Sequence, residues 1–264
     1  MDLRRIAAAL ALACLAVPAA AEVHHAPLEW TIDGTTYQGV LVHDDAATTP
    51  RPGLVLVPNW RGISDDAIAQ ARDIAGGDYV VLVADLYGAD VRPGNAASAR
   101  EASEPLREDR ALMRSRISAA VDALKSQAGK VPLDAGRIGA LGFCFGGTAV
   151  LELARAGSDV AGVVSLHGGL STPMPAEPNS VLASVLVLNG AADRGVSDDD
   201  IVSFKQEMDA AGADWQFVDF SGAVHCFAEP SAGNEPGNCR YDPRAAARAY
   251  EMLRDFFAER FDPG

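Results

Sequence analysis

The most informative segment of the chain is Gly142-Phe143-Cys144-Phe145-Gly146-Gly147. It follows the apolar run 137–141 and precedes a helix-like stretch that begins at Phe145. A strand, a nucleophile flanked by glycines and then a helix are the setting of a nucleophile elbow, a strained turn that lifts one side chain above the carboxyl end of a sheet. Because cysteine holds the nucleophile position, the segment suggests attack by a thiolate on a carbonyl carbon. On the alternative interpretation, Cys144 is a small buried hydrophobe, as free cysteines often are.

A carboxylate and an imidazole follow Cys144 in the order that such an elbow requires. The apolar run 185–188 leads into Asn189-Gly190-Ala191-Ala192-Asp193, so Asp193 lies just past a strand end. His225 lies in the loop after the next strand-like segment, 215–220. The chain order is nucleophile, acid and histidine, and each of the three follows the carboxyl end of a strand. This is the order of the α/β-hydrolase triad. The sequence therefore predicts Cys144, Asp193 and His225 as the catalytic residues.

Five segments together resemble the dienelactone hydrolase family, over most of the chain from about Pro52 to Phe257. They are Pro58-Asn59-Trp60-Arg61-Gly62, Asp85-Leu86-Tyr87, the cysteine elbow, Gly190-Ala191-Ala192-Asp193 and His225-Cys226-Phe227. The resemblance implies an α/β-hydrolase core without a large lid domain, the same triad, and hydrolysis of small-molecule esters or lactones. It implies neither a cofactor nor a metal ion.

Strand-like and helix-like segments alternate along the chain, which favours a mainly parallel sheet with helices on both faces. Asp33-Gly34 joins two segments of alternating polarity, 28–32 and 36–43, and predicts an N-terminal antiparallel hairpin. The stretch 96–128 is predicted as one helical segment. No repeat or low-complexity tract marks a second domain, so residues 22–264 are expected to form a single α/β-hydrolase domain.

The first residues have the features of a signal peptide. Arg4 and Arg5 precede the apolar run 6–17, which is too short to span a bilayer, and Ala19-Ala20-Ala21 offers a cleavage site. Removal of residues 1–21 predicts a periplasmic or secreted protein that does not bind a membrane after cleavage.

The whole chain has a formal net charge of −14 and scattered basic residues, which argues against nucleic acid as a partner. A monomer is favoured.

Export affects the interpretation of the remaining cysteines. Cleavage leaves Cys144, Cys226 and Cys239, an odd number in an oxidising compartment. Cys226 and Cys239 flank a loop rich in proline, glycine and asparagine, so a disulfide is predicted between them, with Cys144 as the free thiol. The alternative of three free thiols stays open, because the sequence does not give the Cα separation that a disulfide requires.

The backbone N–H groups of Trp60 and Phe145 are predicted to form an oxyanion hole, since one follows the nucleophile and the other lies in the turn after an early strand. His167 precedes the acid in the chain, so it is interpreted as a pocket wall or a structural turn rather than as the base. The predicted substrate pocket comprises Asn59, Arg61, Tyr87, Arg92, His167 and Phe227.

Three positions depart from the pattern of the dienelactone hydrolases. In that family a glutamate in the turn before the oxyanion donor helps to activate the nucleophile, and Asn59 takes its place here. Two arginines hold the substrate carboxylate in that family, and Ala89 and Glu229 occupy those positions in this chain. Because a glutamate repels a carboxylate, we expect neutral esters or lactones to be preferred over carboxylated ones.

Two other classes of function compete with hydrolysis. The first is a non-catalytic protein that binds small molecules on the same fold, with Cys144 capped by oxidation. The second is a thiol redox protein, which requires a Cys-x-x-Cys pair that the sequence does not contain. The complete set of nucleophile, acid and histidine favours the enzyme.

Overall fold

The computed structural model describes residues 23–234 and 236–262. The strands in this part of the chain are β1 (Val23–Ile32), β2 (Thr35–Asp44), β3 (Arg51–Val57), β4 (Val80–Val83), β5 (Leu133–Phe143), β6 (Gly162–Leu166), β7 (Ser184–Gly190) and β8 (Trp215–Phe220). The α-helices are α1 (Asp65–Ala75), α2 (Ala96–Glu108), α3 (Arg110–Lys125), α4 (Phe145–Arg155), α5 (Asp198–Ala210) and α6 (Pro243–Phe261).

The strands form one sheet in the order β1-β2-β4-β3-β5-β6-β7-β8. The β1-β2 pair is the predicted antiparallel hairpin, and its turn residues Asp33 and Gly34 have φ angles of 48° and 81°. A two-residue turn with two positive φ angles matches the right-handed twist of the strands on either side of it. Asp-Gly is favoured in such turns because both residues tolerate positive φ angles. β2 is antiparallel to β4, and every neighbouring pair from β4 across to β8 is parallel. The predicted α/β class and mainly parallel sheet are confirmed.

Helices cover both faces of the sheet. Leu106 of α2, Ile117 of α3 and Phe204 of α5 share one core with the inner side of α4. Ile74 of α1 and Leu253 of α6 belong to a second core on the opposite face. Strands buried on both faces require apolar residues at every position, which explains the uninterrupted apolar runs of the sequence. The nucleophile elbow therefore begins at the end of β5, an interior strand of the sheet whose last six residues are buried.

The stretch predicted as one helix forms two. α2 ends at Glu108 and α3 begins at Arg110, and Asp109 lies between them with an extended backbone (φ −113°, ψ 97°). The Asp109 carboxylate accepts a hydrogen bond from Leu112 N at 2.9 Å. The expectation of one helix was wrong because Asp109 caps the N-terminus of α3, which favours a break at this point.

The predicted signal peptide, residues 1–21, lies outside the described residues. Within residues 23–234 and 236–262, none of the helices is long and apolar enough to cross a membrane.

Candidate active site

The elbow between β5 and α4 depends on close backbone contacts. A Cβ atom added to Gly146 would lie 2.0 Å from Val57 O, and one added to Gly142 would lie 2.2 Å from the carbonyl carbon of Gly146. Only glycine fits at both places, and α4 therefore begins directly against the end of β3. Cys144 itself has φ 55° and ψ −115°, a costly backbone conformation for a residue with a side chain.

The structure brings the three predicted catalytic residues together. Cys144 Sγ lies 2.9 Å from His225 Nε2, and His225 Nδ1 lies 2.7 Å from Asp193 Oδ2. The other oxygen of Asp193 accepts hydrogen bonds from Gly195 N at 2.8 Å and from Asn238 Nδ2 at 2.9 Å. The Asp193 carboxylate is thus fixed from several directions, and the orientation of the His225 ring is fixed with it.

Two pKa shifts favour the charged forms of His225 and Asp193. Burial lowers the pKa of His225, but hydrogen bonds to Asp193 and Cys144 outweigh burial and raise the pKa to about 10. Burial raises the pKa of Asp193, yet the hydrogen bonds from His225 and Gly195 leave the pKa below its ordinary value. At neutral pH the pair is therefore an imidazolium beside a carboxylate, which is the state that supports a neighbouring thiolate.

A disulfide joins Cys226 and Cys239, with 4.9 Å between their Cα atoms. It brings the two ends of its loop beside His225, whose carbonyl accepts a hydrogen bond from Arg240 N at 3.0 Å. Asn238, the neighbour of Cys239, is the side chain that binds Asp193. Sequence reasoning missed Asn238, although the predicted pairing of Cys226 with Cys239 implied that residue 238 lies near the histidine.

The two predicted oxyanion donors lie on the two segments that meet at the elbow. Phe145 is the first residue of α4, and the first N–H groups of a helix have no acceptor inside it. Trp60 lies in the turn closed by a hydrogen bond from Gly62 N to Asn59 O at 2.9 Å. Tyr87 Oη donates to Trp60 O at 2.8 Å and fixes the orientation of that peptide.

Two cavities open at Cys144. The larger has a volume of about 940 Å³ and is lined by residues that include Asn59, Trp60, Arg61, Ser103, Arg107, Cys144, His225 and Glu229. The smaller has a volume of about 310 Å³ and is lined by residues that include Arg107, Arg110, Cys144, Phe145, Thr148, Asp193 and His225. No cluster of three or more histidine, cysteine or acidic side chains within the described ranges is arranged to hold a metal ion.

Asn59 and Arg61 line the larger cavity as predicted, and the other four predicted pocket residues do not. The Arg92 guanidinium turns away to Asp85 Oδ2 at 3.2 Å. The Tyr87 side chain is 8% exposed, and its hydroxyl donates to Trp60 O. His167 and Phe227 are both 0% exposed. The assignments of Tyr87, Arg92 and Phe227 to the pocket were wrong because nearness to a motif in sequence does not fix the direction of a side chain. For His167 the structure agrees with the alternative of a structural turn and not with a pocket wall.

The charge around Cys144 also differs from the expectation. Glu229 lines the larger cavity but is only 4% exposed, and its carboxylate accepts a hydrogen bond from Asn59 Nδ2. Arg107 and Arg110, which sequence reasoning missed, line the smaller cavity beside Cys144. The break between α2 and α3 at Asp109 is what places them there. The two arginines place positive charge beside Cys144, which opposes the repulsion of a substrate carboxylate expected from Glu229.

Comparison with known proteins assigns the chain to a family. Residues 37–261 match the model of the dienelactone hydrolase family. The chain belongs to the dienelactone hydrolase family. It is 34% identical, with a TM-score of 0.85, to the crystal structure of a dienelactone hydrolase-like promiscuous phosphotriesterase from metagenomic libraries, over 91% of this chain and 99% of that one. Membership of the dienelactone hydrolase family makes the protein a hydrolase whose substrate is a small-molecule ester or lactone.

Two curated proteins are similar to the chain. An uncharacterised Caenorhabditis elegans protein is 38% identical over 154 residues, which are 56% of this chain and 94% of that protein. A Methylorubrum extorquens protein named as a carboxymethylenebutenolidase is 29% identical over 80% of this chain and 72% of that protein. The dienelactone hydrolase family thus accounts for the sheet, the helices on both faces and the elbow described above.

Proposed function

We propose that this hydrolase cleaves carboxylic esters or lactones through a thioester on Cys144, with His225 as the proton carrier and Asp193 as its orienting group. The observation that carries the proposal is the 2.9 Å separation of Cys144 Sγ and His225 Nε2, with Asp193 bound to the other ring nitrogen. A non-catalytic binder has no use for a thiol, an imidazole and a carboxylate in this alignment.

The reaction follows from the charges of the site. The Cys144 thiolate attacks the ester carbonyl, and the N–H groups of Trp60 and Phe145 stabilise the oxyanion, each worth ~3 kcal/mol of barrier. The His225 imidazolium then gives its proton to the departing alkoxide. Neutral His225 takes a proton from water, and the hydroxide attacks the thioester. The thiolate leaves, the carboxylic acid is released, and the ion pair is restored.

We also propose that the protein acts outside the cytoplasm, after removal of residues 1–21. The disulfide between Cys226 and Cys239 supports this proposal, since such bonds persist in oxidising compartments. Mass measurement of protein from a periplasmic extract tests it. We expect a chain that starts at Glu22, whereas an intact Met1 would contradict export.

The nucleophile is tested with Cys144→Ala on a short-chain aryl ester. Loss of a single sulfur hardly changes the packing, so we expect hydrolysis to fall by at least about 10³-fold with an unchanged melting temperature. Cys144→Ser is the matched control for the shape of the elbow. Retention of a tenth of the wild-type turnover by Cys144→Ala would refute the assignment.

A second activity on the same site is phosphotriester hydrolysis. It is favoured by the 34% identity to a protein described as a promiscuous phosphotriesterase. The same thiolate would attack phosphorus, and the same N–H groups would stabilise the charge on the phosphoryl oxygen. A dialkyl aryl phosphate added to the wild type is expected to release the phenol, and Cys144→Ala is expected to release none above the uncatalysed rate.

A further inference from the structure

A second histidine lies behind the elbow, and the proposed reaction does not use it. His167 is 0% exposed, and its Nδ1 accepts a hydrogen bond from the backbone N–H of Cys144 at 3.1 Å. Burial lowers the pKa of His167 well below its ordinary value. The ring is therefore neutral, and because Nδ1 is an acceptor, the proton is on Nε2.

The proton on His167 Nε2 points towards a buried acid. Nε2 has no hydrogen-bond partner among the described residues, and Glu229 Oε1 lies 3.7 Å away. The other oxygen of Glu229 accepts a hydrogen bond from Asn59 Nδ2. Asn59 Oδ1 in turn accepts from the backbone N–H of Arg61 at 2.9 Å. A line of polar groups thus runs from the turn that carries Trp60 to the elbow that carries Cys144: Asn59 is partly exposed, Glu229 and His167 are buried, and the last two are 3.7 Å apart.

We propose that His167, Glu229 and Asn59 are positioning residues that set the separation and direction of the two oxyanion donors. The two ends of this polar line lie one residue from the two donors: Asn59 adjoins Trp60, and Cys144 adjoins Phe145. The inference rests on the proposed function, because it concerns the oxyanion of the same reaction. The three residues act on the geometry of the backbone and do not act on the charge of the Cys144 thiol.

The backbone at the elbow needs such support. Cys144 and His167 both have positive φ angles, 55° and 41°, and such a backbone conformation is costly in a residue with a side chain. The carbonyl of Leu166 also accepts from Cys144 N, at 3.0 Å. Two acceptors on one N–H hold the elbow peptide in one orientation, and His167 is the one that also lies beside Glu229, whose partner Asn59 adjoins the other oxyanion donor.

Two rates measured on one protein separate this role from activation of the thiol. Hydrolysis of a neutral aryl ester requires both a thiolate and an oxyanion hole. Alkylation of Cys144 by iodoacetamide requires the thiolate and forms no oxyanion. In His167→Phe we expect kcat to fall about 30-fold with KM changed by less than about twofold, and the alkylation rate to stay within about twofold of wild type.

Glu229→Met tests the second residue of the line with a side chain of similar length. We expect the same pattern, with a fall in kcat of about tenfold and an unchanged alkylation rate. Because the two residues act in sequence, the double variant should lose no more activity than His167→Phe alone. This variant also serves as the test if His167→Phe does not fold.

His167→Asn is the conservative variant. The Asn side-chain oxygen falls near the position of Nδ1 and can accept from Cys144 N, so we expect it to recover at least half of the activity lost in His167→Phe. His43→Phe is the matched control, since His43 lies in β2, where its Nδ1 is 3.1 Å from a carboxylate of Asp45. We expect His43→Phe to hydrolyse the ester at the wild-type rate.

Two results would overturn the inference. One is a kcat within about threefold of wild type in both His167→Phe and Glu229→Met. The other is a parallel fall in kcat and in the alkylation rate, which would mean that the line acts on the thiolate through His225. If Cys144→Ala hydrolyses the ester, the proposed function itself fails. If Cys144→Ala is inactive while His167→Phe and Glu229→Met are both fully active, this inference alone fails.

Discussion

Two histidines meet at Cys144, with 5.1 Å between their ring centroids, and their surroundings are opposite. His225 is partly exposed, contacts a thiol and a carboxylate, and has a pKa raised to about 10. His167 is fully buried, accepts from a backbone amide, and has a lowered pKa. The same side chain is thus a cation on one side of the cysteine and a neutral acceptor on the other. The neighbouring groups, more than the residue type, decide what each histidine does.

The open side of Cys144 comprises His225, Asp193, Asn238 and the disulfide loop. Its contacts are charge-assisted, and in the proposed mechanism they support the reactive form of the sulfur. The buried side comprises His167, Glu229 and Asn59. Its contacts end on backbone N–H groups and act on the position of the peptide. Variants on the open side should therefore slow every reaction of the thiol, and variants on the buried side should slow only reactions that form an oxyanion.

The largest effect is expected from Asp193→Asn. The amide cannot stabilise the imidazolium and favours the wrong tautomer of His225, so kcat should fall by about 10⁴-fold. The rate of Cys144 alkylation at neutral pH should fall with it. Asp219→Asn is the control, because Asp219 accepts one hydrogen bond from Asn189 at the end of β8. If Asp193→Asn loses hydrolysis but keeps the wild-type alkylation rate, the division between the two sides is wrong.

Removal of the disulfide should have the next largest effect. The bridge closes a loop with a sequence separation of 13 residues, which is worth about 3 kcal/mol on the chain-entropy model. We expect Cys226→Ser with Cys239→Ser to lower the free energy of unfolding in urea by that amount. Release of Asn238 from Asp193 should also lower kcat, by about tenfold. An unchanged unfolding midpoint would show that the loop is held by other contacts.

The raised pKa of His225 predicts a pH dependence of stability. A group whose pKa rises on folding contributes stability that is complete below its unfolded pKa and is lost as the pH rises through its folded pKa. The difference in unfolding free energy between wild type and His225→Gln should therefore be largest below pH 6.5 and decline towards pH 10. Its size is on the order of 2 kcal/mol after allowance for solvent screening. A difference that grows with pH would contradict the assigned charge.

The smallest effect concerns the charge of the substrate. Arg107 lines both cavities at Cys144, so the wild type should accept a carboxylated ester at least as well as a neutral one of equal size. Arg107→Gln should lower kcat/KM for the carboxylated ester by about tenfold relative to the neutral ester. The control is Arg254→Gln on the outer face of α6. A wild-type preference for the neutral ester would restore the expectation drawn from Glu229.

The sequence predicted the features that depend on neighbouring residues in the chain, and it missed contacts between residues that are far apart in the chain. Each catalytic residue follows an apolar strand within a few positions, so strand order alone brings Cys144, Asp193 and His225 to one edge of the sheet. Asn238 and Glu229 reach their partners across large separations in the chain, and no local pattern reports such contacts.

Nearness to a motif was a poor guide to the pocket. Phe227 lies two residues after His225, yet it packs into the core against Phe220. Arg92 returns to the carboxylate of Asp85 because an unpaired buried acid is costly. The direction of these side chains is set by packing and charge pairing in three dimensions, which the alternation of strands and helices does not encode.

In the proposed mechanism Cys144 carries the acyl group during turnover. This is tested by mixing the protein with an aryl ester that deacylates slowly, quenching in acid within the first turnover, and measuring the mass of the peptide that contains Cys144. We expect one acyl group on Cys144 per molecule, formed as fast as the phenol is released and absent from Cys144→Ala. Release of phenol without an adduct on Cys144, or with the acyl group on another residue, would contradict it.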